Sequence, residues 1–146
     1  MENKDFHLTE AKKCFNATWD LIDKKDKTKE ERLEMIRLAQ TSRHHWGVVG
    51  SPLEFERGDW LISKVYALEG YGELALEHAL ICLKVCLEND IADFDICFAY
   101  EAIANAYKAL GDMKKVKEFK EKAYKGLDFI KDKGDRDYTK SEIDKI

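Results

Sequence analysis

The chain has 146 residues, 45% of them hydrophobic and 37% charged, which is enough for one soluble domain with its own core. Its net charge of −4 argues against a nucleic-acid partner, and neither a signal-peptide core nor a bilayer-length apolar stretch is present. We therefore expect a cytoplasmic protein with no membrane partner and four reduced cysteines. One proline and few β-branched runs predict an all-α fold.

Two helices are predicted in the first third of the chain. Apolar residues recur at helical spacing from Leu8 to Ile22, and predict a helix that opens at a Thr9 N-cap and ends near Asp23. The run Thr28–Glu31 has the pattern of a capping box and begins a second helix, which Gly47 or Gly50 ends. These helices form a predicted hairpin over residues 8–47.

The segment SRHHWGVVGSPLEFERGDWLIS (42–63) joins the second helix to the third. Ser51-Pro52-Leu53-Glu54 is another capping box, with proline at the first helical position, so a third helix begins at Pro52 and stops at Gly70. Gly58 lies inside this helix, where glycine costs about 1 kcal/mol relative to alanine. Such a cost indicates close approach of a neighbouring helix or of a bound group.

Three more helices are predicted after Gly70. The fourth spans roughly Glu73 to Glu88; Asp93 caps the fifth, which ends at Gly111; Asp112 caps the sixth, which Gly134 stops. The second and third hairpins are therefore 51–89 and 93–133, in a single domain of residues 1–134. The tail, 135–146, contains the capping-box pattern Thr139–Glu142, which would allow a short last helix.

An internal repeat links the second hairpin to the third. Tyr66 and Gly70 in KVYALEGYGELALEHALICLKV match Tyr107 and Gly111 in NAYKALGDMKKVKEFKEKAYKG, at an offset of 41 residues. An aromatic residue, a glycine and then a small or apolar residue at these spacings resemble the tetratricopeptide repeat (TPR), a helix-turn-helix unit. The resemblance covers roughly residues 56–130, although the offset exceeds the usual 34 residues and the usual proline is missing. The whole chain also resembles small stand-alone bacterial proteins of this type.

The resemblance implies three stacked antiparallel hairpins in a right-handed superhelix whose concave side binds a peptide or protein segment. The first helix of each hairpin would line that side. Polar residues share one stripe on the third helix and one on the fifth, and we expect the two stripes to lie side by side as a binding surface: Arg57, Trp60, Lys64, Glu101, Asn105 and Lys108. The competing interpretation is a solvated face with a weak Lys64–Glu101 ion pair. An interaction module of this kind is not an enzyme and needs no cofactor.

The linkers between hairpins offer an alternative site. If they lie at the same end of the stack, Arg43, His44 or His45 would meet Asp93 or Asp95, with Trp46 nearby. We favour a satisfied polar junction, with a pocket for a small polar ligand as the other interpretation; the candidate binding residues at this junction are Arg43, His44, Trp46 and Asp93. The alternative is a small-molecule sensor or an enzyme, with His44 or His45 as a base oriented by Asp93 or Glu101.

A metal site is a further alternative on the fourth helix. His78, Cys82 and Cys86 recur at i, i+4 and i+8, and Cys97 would be a fourth ligand. We favour the interpretation that these cysteines are small core residues, because the close Cys-x-x-Cys spacing of zinc sites is missing. The sequence therefore assigns no metal.

The outer surfaces raise two questions about partners. The lysine-rich sixth helix lacks interleaved aromatic residues, so we expect a solvated face and no nucleic acid. Exposed apolar residues on the first hairpin would allow a homodimer.

Overall fold

The computed structural model describes residues 3–146, which fold into helices with no β-strand among them. The all-α fold class is therefore confirmed for the described chain. A single 3₁₀ turn, Leu127–Phe129, separates the last two helices. The α-helices are α1 Lys4–Asp23, α2 Lys29–Val49, α3 Pro52–Leu68, α4 Gly72–Glu88, α5 Phe94–Leu110, α6 Met113–Gly126 and α7 Lys133–Asp144.

Most helix starts follow from the capping residues in the sequence. The Thr28 hydroxyl accepts a hydrogen bond from the Glu31 N–H at 3.1 Å, and the Glu31 carboxylate accepts one from the Thr28 N–H at 2.9 Å. Asp93 and Asp112 cap α5 and α6 through their side chains, as predicted. At the start of α3, the Ser51 N–H donates to Glu54 Oε1 at 2.9 Å. These bonds satisfy amide groups that have no partner within the helix.

Three predicted boundaries are wrong. The first helix begins at Lys4, because Asn3 accepts a hydrogen bond from the Phe6 N–H and caps it six residues before Thr9 would. The sixth helix ends at Gly126, and Gly134 lies inside α7, which Asp132 caps. Thr139 is also inside α7, where its hydroxyl donates to the Asp135 carbonyl at 2.7 Å instead of capping a new helix.

The internal repeat is visible in two helix ends of the same geometry. Gly70 and Gly111 both adopt left-handed backbone angles, with φ of 83° and 80°. The Tyr71 N–H donates to the Tyr66 carbonyl at 2.9 Å, and the Asp112 N–H donates to the Tyr107 carbonyl at 3.0 Å. These are the long-range bonds of a Schellman ending, in which glycine avoids the strain of a positive φ.

Neighbouring helices pack in sequence order. Within each hairpin the two helices pack against each other, as α1 with α2, α3 with α4, and α5 with α6. Between hairpins, α2 contacts α3, α4 contacts α5, and α3 also contacts α5 directly. The last helix, α7, packs against α5 and α6. None of the described helices has the length and apolar character to cross a membrane.

The core has two main clusters. The first joins α2 and α3 and has Trp19 and Trp60 at its edge; its buried members are Met35, Ala39, Leu61, Ile62 and Val65. The second joins α4 and α5 and also reaches Trp60; its buried members are Ala79, Ala102 and Ile103. Trp60 therefore packs against both clusters, at the place where α3 contacts α5.

Candidate functional site

The structure brings the two predicted stripes together on one surface of α3 and α5. Trp60 Nε1 donates a hydrogen bond to Glu101 Oε1 at 3.0 Å. Lys64, Asn105 and Lys108 line one cavity of about 320 Å³, together with Ala67, Leu68 and Ala109. The direct Lys64–Glu101 ion pair of the competing interpretation is not formed; Lys64 lies over aromatic rings instead. We call this region, defined by the six predicted residues, the α3–α5 surface.

Lys64 lies over two stacked indole rings. Trp19 and Trp60 stack with ring centroids 5.9 Å apart, and the Lys64 ammonium is 5.7 Å from each centroid. Trp19 precedes Trp60 by 41 residues, and Trp60 precedes Glu101 by the same number. Side chains at equivalent positions of α1, α3 and α5 are therefore in direct contact, in one row that we call the 19–60–101 row.

Glu101 is the buried charge of this surface. Its side chain is only 3% exposed. Burial raises the pKa of the Glu101 carboxyl to about 7, although the Lys64 ammonium and the Trp60 N–H both act to lower it. Glu101 can thus change its charge near neutral pH, and it offers no free carboxylate to solvent.

An aromatic pocket of about 240 Å³ adjoins Trp60 on the side away from Lys64. Five aromatic side chains and three polar ones line it: Phe15, Trp60, Phe94, Phe98, Tyr138, Glu56, Arg57 and Asp95. Arg57 does not offer a free cation there, since its Nε and Nη2 donate to the two oxygens of Asp95 at 2.9 and 3.0 Å. The pocket is therefore mainly apolar, with a neutralised ion pair at its wall.

Arg43 belongs to a different polar cluster, between α2, α3 and α4. Its Nε donates to Asp59 Oδ2 at 3.1 Å, and His78 Nδ1 lies 2.9 Å from Asp59 Oδ1. A β-carbon at Gly58 would stand 2.7 Å from Arg43 Cδ. The close-approach interpretation of Gly58 therefore has a specific cause, the Arg43 side chain crossing the helix at that glycine.

The predicted junction of histidines with Asp93 and Asp95 does not form among residues 3–146. His45 Nδ1 lies 2.8 Å from His7 Nδ1, and the His44 and His45 rings are in edge contact. Asp93 caps Phe94 and accepts a hydrogen bond from the Lys131 N–H at 3.3 Å, while Asp95 pairs with Arg57. These contacts place the proposed base and its orienting carboxylates in separate clusters.

Trp46 lies beside a third cavity. This cavity has a volume of about 600 Å³ and lies between α1, α2 and α3. Trp46 lines this cavity but not the aromatic pocket, whereas Phe15 and Arg57 line both. The two cavities are therefore neighbours.

The metal site considered from the sequence is not assembled. His78 is paired with Asp59, and the Cys97 thiol faces α6, where a β-carbon on Gly126 would stand 2.5 Å from its sulfur. All four cysteines are free and buried. Cys82 and Cys86 do lie together, but their carboxylate neighbour is Glu56 of α3.

The environment of Glu56 shifts three pKa values. Burial, and then the neighbouring Asp95 carboxylate, raise the pKa of the Glu56 carboxyl well above its usual range. The interaction between the two thiols raises the pKa of Cys82 and lowers that of Cys86. Glu56 is therefore held neutral at physiological pH when no cation is near it.

Sequence reasoning missed the residues that complete these sites. Trp19 was detectable, because extending the 41-residue offset backwards from Trp60 leads to it. In the sequence, Glu56 is one of several charged residues near the start of a capped helix. Its burial becomes apparent only from the packing of α3 on α4. Tyr138 lies in the segment assigned to a tail, so no local pattern linked it to Phe98, which its ring faces at 6.3 Å.

Comparison with protein-family models, with curated proteins and with solved structures finds no match for this chain.

Proposed function

We propose that the chain is a TPR-like interaction module whose helical hairpins stack as a right-handed superhelix and bind a peptide or protein segment in the concave groove. The observation that carries the proposal is the 19–60–101 row, in which equivalent positions of α1, α3 and α5 are in contact. Contact at a constant offset is what stacking of similar hairpins produces. The paired Schellman endings at Gly70 and Gly111 support the same arrangement.

The chemistry of the α3–α5 surface favours a partner segment with an apolar side chain and a carboxylate. The aromatic pocket offers about 240 Å³ of mainly apolar space next to Trp60. The cavity on the other side of Trp60 has Lys64 and Lys108 at its wall, and neither ammonium has an ion pair with a carboxylate in the described chain. An aromatic or aliphatic side chain of the partner would fill the aromatic pocket. An Asp or Glu two or more residues away in the partner would reach the cavity lined by Lys64 and Lys108.

The groove interpretation accounts for the polar residues without catalysis. His44 and His45, the bases considered for an enzyme, lie apart from the carboxylates of Asp93 and Glu101, as described above. The two unpaired lysines and Asn105 instead provide hydrogen-bond donors for an acidic ligand group. A small-molecule sensor or enzyme at the hairpin junction has no comparable arrangement to support it.

A selection experiment tests this proposal. Short random peptides displayed on phage are selected on the immobilised protein, and the enriched sequences are synthesised and measured by fluorescence anisotropy. We expect enrichment of an apolar residue near Asp or Glu, and about 10-fold weaker binding to the Lys64→Ala/Lys108→Ala variant. The matched control is Lys84→Ala/Lys117→Ala, which removes two exposed lysines of α4 and α6.

Two results would contradict the groove. One is enrichment of peptides without acidic residues; the other is equal weakening by the groove and control variants. Raising the salt concentration should weaken binding to the wild type more than to the groove variant, because screening acts on the lysine contacts.

A further inference from the structure

One carboxylate and two thiols meet in the interior between α3 and α4. Glu56 comes from the first turns of α3, and Cys82 and Cys86 stand one turn apart on α4. One ligand atom from each of the three residues lies within 4.8 Å of the other two. This is the one group of three or more such side chains that residues 3–146 bring into this geometry.

The group is buried and one of its atoms lacks a partner. Glu56, Cys82 and Cys86 are 2%, 0% and 1% exposed. The Cys82 thiol donates to Glu56 Oε1 at 3.4 Å, but Glu56 Oε2 has no hydrogen-bond partner and is the one such orphaned atom among the described side chains. A buried carboxyl oxygen without a partner is costly, at roughly 1–3 kcal/mol. The neighbour of Glu56, Asp95, is also a carboxylate, which can accept a hydrogen bond only from the protonated form of Glu56.

The donor set indicates the chemistry that would satisfy this oxygen. Thiols at i and i+4 of one helix present both sulfurs to the same side, and a carboxylate from the facing helix completes three corners of a tetrahedron. A zinc ion with bonds of about 2.0–2.3 Å holds its ligand atoms less than about 4 Å apart. Small rotations of the three side chains would bring their ligand atoms from within 4.8 Å of one another to the shorter separation that zinc requires. Two sulfurs and one oxygen suit a thiophilic ion such as Zn²⁺ and do not suit Mg²⁺ or Ca²⁺.

We propose that Glu56, Cys82 and Cys86 bind one Zn²⁺ ion between α3 and α4. The fourth position is available to water or to an Asp95 oxygen, since Glu56 and Asp95 both line the aromatic pocket. That pocket is also the route by which the ion reaches the ligands. Arg57 binds both Asp95 oxygens, so Asp95 adds no unpaired negative charge next to a site whose ligands bring three negative charges. This site is independent of peptide binding on the α3–α5 surface.

Cobalt is the probe for the test, because Co²⁺ reports thiolate ligation and tetrahedral geometry by absorption. The full chain is reduced, stripped of metal with a chelator and titrated with Co²⁺. We expect one ion per chain, with a thiolate-to-cobalt charge-transfer band in the near ultraviolet and intense visible bands. Zn²⁺ should displace Co²⁺ and abolish these bands. A wild-type protein that shows no charge-transfer band overturns the proposal without any variant.

Substitutions then assign the ligands. Cys82→Ser, Cys86→Ser and Glu56→Gln should each weaken binding beyond the roughly 10- to 100-fold loss typical of an outer-shell partner. Cys97→Ser is the matched control, since Cys97 is equally buried but faces α6, and its cobalt spectrum should be unchanged. Unchanged spectra in Cys86→Ser, or loss of the bands in Cys97→Ser, would assign the metal elsewhere and overturn the site.

A stability measurement separates metal ligation from simple packing. Zn²⁺ should raise the Tm of the wild type and of Cys97→Ser, because an ion that binds the folded state stabilises it. It should leave the Tm of Glu56→Gln unchanged, while the metal-free Glu56→Gln protein remains at least as stable as the metal-free wild type. A Zn²⁺-induced rise in Glu56→Gln equal to that of the wild type would show that Glu56 is not a ligand.

Discussion

The Trp60 indole N–H donates its hydrogen bond to the Glu101 carboxylate at 3.0 Å, across the contact between α3 and α5. The two residues occupy equivalent positions of consecutive hairpins, 41 residues apart. Glu101 is almost fully buried and keeps this N–H as its hydrogen-bond partner. The contact therefore couples the stacking of two hairpins to the ionisation of one acid.

Glu101 should make the protein less stable as the pH rises. Its folded pKa of about 7 is above the ordinary value of 4.5, so the folded state binds this proton more tightly than the unfolded state does. The stabilisation by the proton is complete below pH 4.5 and is lost as the pH rises to about 7. In Glu101→Gln this loss should be smaller by the contribution of one proton, while the raised pKa of the Glu56 carboxyl still contributes. The free energy of unfolding of Glu101→Gln at pH 8 should exceed that of the wild type by about 1–3 kcal/mol. Urea unfolding at several pH values measures both.

The matched control for this pH effect is Glu77→Gln on α4. Glu77 is exposed, so its substitution should leave the pH profile of the wild type intact. If Glu101→Gln and the wild type lose stability in parallel between pH 4.5 and 7, another group is responsible.

Removing the indole N–H should destabilise the protein most at high pH. Trp60→Phe keeps an aromatic ring in contact with Trp19 but leaves the Glu101 carboxylate without its donor. We expect a loss of about 1–3 kcal/mol above pH 7, a smaller loss at pH 5, and a higher pKa for Glu101. Carbon-13 NMR titration of the Glu101 carboxyl reports the pKa directly.

Trp19→Phe is the control for lost ring area. No hydrogen bond from the Trp19 indole nitrogen occurs within residues 3–146, so this substitution should weaken stacking without moving the Glu101 titration. Equal shifts of that titration in Trp19→Phe and Trp60→Phe would mean that ring packing, and not the N–H, controls the acid.

The sequence predicted those features that depend on neighbouring residues along the chain. Capping boxes located the starts of α2 and α3, and capping aspartates those of α5 and α6, because each cap is satisfied within one turn. The juxtaposition of the α3 and α5 stripes followed from the repeat, which converts a sequence offset into a contact. The Trp60–Glu101 hydrogen bond within it was not predicted, because the sequence suggested only a Lys64–Glu101 ion pair. Asn3 was missed as the cap of α1 because the apolar stripe begins only at Leu8.

Contacts between positions that the 41-residue offset does not relate were beyond the sequence. Arg57 was expected as a free cation of the groove, yet it binds Asp95 in a bidentate ion pair across α3 and α5. His44 and His45 were expected near Asp93, but His45 instead contacts His7 of α1. Such partners depend on the exact rotation of each helix about its axis. The periodicity of the sequence shows which face of a helix is buried, but does not determine that rotation more closely.

The effect of Gly58→Ala on stability should have opposite signs in the wild type and in an Arg43→Ala background. In the wild type, a methyl group at position 58 would overlap Arg43 Cδ, so Gly58→Ala should displace Arg43 from Asp59 and cost about 1–2 kcal/mol. In an Arg43→Ala background the overlap is gone, and Gly58→Ala should stabilise the helix by about 0.5–1 kcal/mol. Thermal or urea unfolding of the four proteins measures the cycle. A substitution that destabilises both backgrounds equally would exclude the Arg43 contact as the reason for glycine.

The last helix should be an integral part of the fold, because it buries side chains against α5. Ile143 of this helix is fully buried, and Thr139 is 1% exposed. Ile143→Ala should therefore cost about 2–5 kcal/mol, as truncation of a packed isoleucine does. Phe129→Ala removes a larger side chain that is 75% exposed, and should cost less than about 0.5 kcal/mol. Urea unfolding followed by circular dichroism compares the two, and similar small losses would mean that α7 folds apart from the rest of the chain.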